Sequence, residues 1–176
     1  MQDLTTPIHF PASIHFQVTT EARPSTLPEA GLGIFSLEAV PAGTFLGMDF
    51  LKSSWVTTAE HIDQQPEEIG KFGWRHISDI CFLVDNGEKA PTDFMNHSFE
   101  PNILWHVGHY FAIRDIAAGD ELFMDYRHML DPSWGVQWKD AVSGQHVVGF
   151  SWRESLAKSS QVLAGLLSKG SETDDR

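Results

Sequence analysis

Between residues 14 and 126 a glycine, a proline or an Asp/Asn pair interrupts nearly every apolar burst of the chain. That punctuation leaves room for short strands and little room for long helices. Ile14-His15-Phe16-Gln17-Val18 alternates at period two, and Gly33-Ile34-Phe35 and Thr44-Phe45-Leu46 are further strand-sized runs. Val40-Pro41-Ala42-Gly43 between the last two is a turn, with proline fixing φ and glycine tolerating a positive one. Cys81-Phe82-Leu83-Val84 stops at Asp85-Asn86-Gly87. Residues 103–106 and 109–113 flank Gly108 as a hairpin, and Glu121-Leu122-Phe123-Met124 closes the series. The pattern predicts a mostly β fold of several small sheets.

Helix is expected in two places. Residues 52–89 read as an insert in which Thr57-Thr58-Ala59-Glu60 fits a capping box, while Pro66 and Gly70 keep any helix short. Residues 153–168 predict an amphipathic helix with Leu156, Leu163, Leu166 and Leu167 on its apolar face. At 176 residues the chain is the size of one domain. We divide it into a main unit, 1–130, and a tail, 131–176, that folds with it and carries Trp134, Trp138, Phe150 and Trp152.

Charge and cysteine count narrow the partners and the chemistry. Twelve Lys and Arg against 24 Asp and Glu give a net charge of −12. That argues against nucleic acid or an anionic membrane as the partner and favours a cationic one. No apolar stretch approaches the ~20 residues of a membrane span. No basic start followed by an apolar run marks a signal peptide, so an intracellular, cytoplasmic location is expected. The single cysteine, Cys81, excludes an internal disulfide framework and a thiolate zinc cluster made by this chain alone. It sits in an apolar run, where thiols are mostly inert and poor nucleophiles. His106 and His109 flank a hairpin turn with no third ligand nearby in sequence, so they read as surface histidines and no metal site is expected.

Three segments then stand together. They are Ala30-Gly31-Leu32-Gly33-Ile34-Phe35 before Val40-Pro41-Ala42-Gly43, Phe94-Met95-Asn96-His97-Ser98-Phe99-Glu100-Pro101-Asn102, and Ala112-Ile113-Arg114-Asp115-Ile116-Ala117-Ala118-Gly119-Asp120-Glu121-Leu122 running on to Asp125-Tyr126. Gly-x-Gly alone is a weak signal. The Asn-His-Ser-x-x-Pro-Asn, Gly-Asp-Glu-Leu and Asp-Tyr pieces in this order are a strong one, and the whole resembles the SET domain, a family of S-adenosylmethionine-dependent protein-lysine methyltransferases.

The resemblance implies a β-clip of small sheets in which the chain end crosses near the Asn-His-Ser segment in a knot-like way. It implies Tyr126 as the catalytic residue, beside the transferred methyl group. It implies that Gly31, Leu32, Gly33, Asn96 and His97 hold S-adenosylmethionine, glycine being the residue whose backbone a ligand can approach most closely. The substrate it implies is a basic, lysine-containing protein or peptide, reached through a channel to which we assign Phe50, Met124, Trp134 and Trp138. Met124 occupies the position that often tunes how many methyl groups are added. Asn102 and Glu121 are expected to order loops.

Departures from the family pattern are informative. Asp93 stands where an arginine is common three residues before Asn-His, and Phe99 where many members carry a cysteine. No cysteine follows Cys81, so a zinc-bound cap is not expected and the tryptophan-bearing tail is expected to close the site. The acidic charge is expected on the rim of the channel, since on its walls it would favour the protonated lysine. The competing reading is a SET-like β-clip module without turnover that binds basic peptides, and the joint presence of Asn96, His97 and Tyr126 weighs against it.

Overall fold

The computed structural model describes residues 6–13, 15–48, 54–58, 73–77, 80–84, 90–130, 132 and 138–170. Strands β1 (Ile8–Phe10), β2 (Thr20–Pro24) and β3 (Leu32–Ser36) make one antiparallel sheet in that order. Strands β4 (Phe45–Met48), β5 (Ser54–Thr58), β6 (Gly73–Ile77) and β7 (Ile80–Val84) follow. β5, β6 and β7 form their own antiparallel sheet with β7 in the middle.

The described part of the insert is therefore strand. Trp55-Val56-Thr57-Thr58 is an aromatic and β-branched run, which suits a pleated surface. Residues 59–72, into which the capping box would lead, lie outside the described residues.

The central sheet positions the rest. It joins β4 to β8 (Asn96–His97), β9 (Ile103–His106), β10 (His109–Ala112) and β11 (Phe123–Met124) in the order β4-β10-β9-β11-β8. β9 and β10 are the expected hairpin. Its two central residues, Val107 and Gly108, have φ of 51° and 79°, the backbone a tight hairpin turn requires.

β11 runs parallel to both its neighbours and lies between β8 and β9, two strands joined by the loop 98–102. The late strand is thus lodged between two earlier ones. Ser98 N–H donates to the Met124 carbonyl and Asn102 N–H to the Phe123 carbonyl, at 3.0 and 3.2 Å. Asn102 is buried and locks the crossing: its amide donates to the Glu121 carbonyl and its oxygen accepts from Phe123 N–H. That is the loop-ordering role expected of it.

One core, built on Ile34, Leu46, Met95, Ile103, Tyr110, Leu122 and Met124, runs between the first and central sheets. Each fully buried aliphatic side chain there contributes roughly 2 kcal/mol. Phe16 and Val18 point into it while Gln17 is exposed, so the period-two reading holds for burial over residues 15–18, Ile14 lying outside the described residues. The ladder does not extend along them: Phe16 makes a single bridge, to Gly47, and the regular strand starts at Thr20.

β12 (Trp138–Lys139) and β13 (His146–Val147) form a two-stranded ribbon, and the chain continues into the helix α1 (Trp152–Gly170). Leu156, Leu163 and Leu166 lie half-buried on its inner face, whereas Leu167 is 61% exposed, one residue out of phase with the stripe. The buried positions are serines. Ser155 bonds to the His128 carbonyl and ring, and Ser159 to His106 Nδ1 at 2.8 Å, which pins α1 to β9 and the turn after β11. Burial lowers the pKa of both histidines, so the docked helix meets neutral rings. His109 Nδ1 contacts the Val107 carbonyl. No described helix is long and apolar enough to cross a membrane.

Candidate active site

The pairing of β11 with β8 places Phe123 against Asn96 and Met124 against His97, so Tyr126 emerges directly beside His97. Tyr126 N–H donates to His97 Nδ1 at 3.2 Å, and the two rings lie 5.3 Å apart between centroids. The Tyr126 hydroxyl donates to the Met95 carbonyl at 2.8 Å. Burial pushes the phenol up to about 12, so it stays protonated at any physiological pH. With its one proton committed to Met95, what the phenol can offer a ligand is an acceptor oxygen.

His97 is buried, and burial lowers its pKa; the Asp125 and Asp140 carboxylates oppose that, while Arg127 supports it. Because Nδ1 accepts from Tyr126, the proton of the neutral ring resides on Nε2. That Nε2 is buried and has no hydrogen-bond partner among the described residues. A buried donor without an acceptor costs about 1–3 kcal/mol, which a ligand acceptor would recover.

Asn96 ties the glycine loop to the site. Its amide nitrogen donates to the Leu32 carbonyl at 3.0 Å, to Ser25 Oγ at 3.2 Å and to Glu121 Oε1 at 3.1 Å. Glu121 is the hub of this network: Ser25 Oγ–H, Thr26 N–H and Thr26 Oγ1–H also donate to its carboxylate, at 2.7, 2.7 and 2.6 Å. The loop-ordering role expected of Glu121 is therefore carried by four hydrogen bonds from neutral donors.

Gly33 is part of the same packing. A Cβ there would overlap the Glu121 carboxylate and crowd Asn96 Nδ2, so the missing side chain is accounted for by the chain's own interior. Gly31 differs: it has φ of 74° and open space where a Cβ would stand. Glu121→Ala is expected to cost about 1–3 kcal/mol, because it removes the acceptor shared by four hydrogen bonds from partly buried donors. A lower urea midpoint with an unchanged slope would report it; an unchanged midpoint would show that the network carries no stability.

The tail reaches this centre. The Trp138 ring stands edge-on to Tyr126 at 6.1 Å and is 42% exposed. Met124 is buried among the core residues. Phe50 and Trp134 lie outside the described residues. A cleft of about 560 Å³ opens between Phe99, Arg127, Asp140, Val148 and Phe150, a size suited to a small organic ligand; it adjoins His97 through the Phe99 ring, and among the described residues neither His97, Tyr126 nor the glycine loop lines it.

The structure therefore joins Gly31-Leu32-Gly33, Asn96, His97, Tyr126 and Trp138 into one neighbourhood. It gives roles to residues for which sequence reading assigned none: Ser25, Thr26, Asp125 and Arg127. Asp125 is the first residue of the Asp-Tyr pair and Arg127 directly follows it, and their opposite charges at a spacing of two were the one available signal. Among the described residues no group of three or more His, Cys, Asp or Glu could hold a metal ion.

The model of the SET domain family matches residues 31–127, more than half of the chain. Among solved structures, the chain is similar to one described as "Crystal structure of an active polycomb repressive complex 2 in the basal state", at 20% identity and a TM-score of 0.46. The match covers 58% of this chain and 14% of that one. No curated protein matches.

Proposed function

We propose a methyl-transfer function on one premise: the chain belongs to the SET domain family, whose model covers residues 31–127. The reaction is transfer of a methyl group from S-adenosylmethionine to the side-chain amine of a protein lysine. The observation that carries this reading is the direct linkage of the family's three motifs, with Asn96 bonded to the glycine loop and Tyr126 bonded to His97. The orphaned donor at His97 Nε2, the open space at Gly31 and the neighbouring cleft fit a ligand with polar acceptors and a flat ring system. When bound, S-adenosylmethionine supplies an electrophilic methyl group on a positively charged sulfur.

The chain's own residues have two tasks. The first is to present a neutral amine. A free lysine near pH 7 lies about three units below its pKa of ~10.4, a deficit of roughly 4 kcal/mol. Aromatic surroundings reduce that by disfavouring the ammonium, and Tyr126 and Trp138 supply aromatic surface at this point. The second task is alignment, for which reactants held near attack distance gain several kcal/mol. The Tyr126 oxygen, with its proton fixed on Met95, orients the amine by accepting from it. The net charge of −12 favours encounter with a lysine-rich partner.

Incubating the chain with methyl-labelled donor and a cell extract, then locating label by mass spectrometry, tests the reading. Label on lysine is expected. Donor binding by calorimetry without any labelled protein would favour a binding module, and no binding would refute the proposal. Asn96→Ala is expected to weaken donor affinity by about tenfold or more, because it releases the Leu32 carbonyl and with it the loop. Wild-type affinity in that variant would remove Asn96 from the donor site.

A further inference from the structure

Asp125 and Arg127, on either side of Tyr126, form an arrangement to which the methyl-transfer reading gives no role beyond the place of Arg127 in the wall of the cleft. Asp125 is buried, and Arg127 grips its carboxylate along two edges: Nε lies 2.9 and 3.0 Å from the two oxygens, and a terminal nitrogen lies 2.6 Å from Oδ2. The Arg127 amide also donates to Asp125 Oδ1 at 3.0 Å. The guanidinium is sandwiched between Phe99 and Phe150, 4.7 Å from each ring centroid. Phe99 stands edge-on to His97 at 4.7 Å, and Phe150 N–H donates to the Arg127 carbonyl at 2.8 Å. One side chain thus joins the Asn-His-Ser loop, the Asp-Tyr turn and the tail.

Position decides what this does. Asp125 Oδ1 is 3.9 Å from His97 Nδ1, the atom that accepts the Tyr126 amide at 3.2 Å. The two demands on Nδ1 exclude each other. To accept from Tyr126 the nitrogen must be unprotonated; to pair with Asp125 it must carry a proton. The charged groups that act on His97 are Asp125 and Arg127, from the turn after β11, and Asp140, which follows β12; the Met124 carbonyl is the further polar influence. Arg127 is the one cation among them.

We propose that Arg127 is a positioning residue for Tyr126: by binding Asp125 on two edges between Phe99 and Phe150, it keeps His97 Nδ1 free to accept the Tyr126 amide. Without it, Asp125 claims His97 as a hydrogen-bond donor and the Tyr126 amide loses its acceptor, so that of the two hydrogen bonds tying Tyr126 to β8 and the residue before it only the hydroxyl bond to Met95 remains. The proposal deepens the methyl-transfer reading and rests on it only where donor affinity is read.

Imidazole nitrogen resonances of labelled protein test it with no donor or substrate present. In the wild type His97 should show an unprotonated Nδ1 and titrate below its ordinary 6.5. In R127Q the titration should move to higher pH and the protonated ring should appear at neutral pH. The double variant D125N/R127Q should restore the wild-type titration, because it removes the carboxylate that competes for the ring. Unchanged titration in R127Q, or no restoration in the double variant, would overturn the proposal. Should R127Q fail to fold, a folded double variant supports the charge argument, and an unfolded one shows that Arg127 acts only by packing, which overturns it.

S-adenosylmethionine affinity is the second readout. Between pH 8 and pH 6 it should fall about tenfold more in R127Q than in wild type. A wild type that binds no donor would refute the methyl-transfer reading and leave the resonance test of Arg127 standing.

Discussion

Tyr126→Phe is expected to lower methyl transfer by about 100-fold or more while leaving S-adenosylmethionine affinity within about threefold. The separation follows from what the hydroxyl does. Its proton is fixed on the Met95 carbonyl, and burial pushes its pKa up to about 12, so near pH 8 about one molecule in ten thousand carries the phenolate. A phenol so rarely ionised is a poor general base. Its contribution must come from a fixed acceptor oxygen and an aromatic face, and phenylalanine keeps only the face. The Met95 carbonyl would lose its donor, a cost of about 1 kcal/mol that should appear in thermal stability and not in donor binding. The loss should also be the same from pH 7 to pH 9, because no proton of Tyr126 titrates in that window. Measured single-turnover rates and calorimetric affinities on the same preparations check both halves. Unchanged turnover would remove Tyr126 from the chemistry. Loss of donor binding in step with turnover would mean that the hydroxyl supports the fold of the site and does not act on the amine.

Tyr126 also shows what can be read from a sequence like this and what cannot. The meeting of the Asp-Tyr and Asn-His pairs was legible only through the resemblance to the SET domain, because the parallel ladder that joins β11 to β8 pairs residues far apart in sequence and no local pattern encodes it. The hairpin of residues 103–112, the run at 32–36 and the terminal helix were legible from alternation, turn residues and an apolar stripe, all of which are local. The C-terminal stripe was misread at Leu167, where leucine was taken as a mark of burial; two serines bonded to histidines occupy the buried positions instead. Polar burial of that kind depends on a partner far along the chain. The same holds for Glu121, whose donors Ser25 and Thr26 lie 96 and 95 positions away, and for Arg127, whose aromatic partners come from the loop after β8 and from the tail. No periodicity encodes such pairs.

Charge gives a similar lesson. The acidic surplus was expected on the rim of a channel, yet three carboxylates around the site, Glu121, Asp125 and Asp140, are buried. Each has its own donors: Ser25, Thr26 and Asn96 for Glu121, Arg127 for Asp125, Ser143 for Asp140. A carboxylate saturated with donors exerts less pull on a nearby amine than a bare one. The surplus can therefore steer a basic partner from the surface while the interior charges are spoken for locally.

Gly33→Ala should have the largest effect on the fold of the site, and the contrast with Gly31→Ala makes it decisive. The two glycines belong to one motif but are required for different reasons. At Gly31 the backbone sits at φ of 74° with open space around it, so alanine meets only the strain of a left-handed conformation, about 1 kcal/mol. At Gly33 a Cβ would overlap the Glu121 carboxylate and crowd Asn96 Nδ2. Glu121 would have to leave Ser25 and Thr26, and Asn96 would have to leave Leu32, so one methyl group dismantles the network that ties the glycine loop to β8. Overpacking of about 1–3 kcal/mol adds to the loss of several partly buried hydrogen bonds, for a total of about 3–5 kcal/mol. For a chain of this size that corresponds to a fall in melting temperature of roughly 6–20 °C, against roughly 2–4 °C for Gly31→Ala. Donor affinity should be abolished in Gly33→Ala and, where the loop is needed only for backbone approach, fall less in Gly31→Ala. Equal melting temperatures for the two variants would show that the Glu121 network yields to a methyl group at Gly33 at little cost.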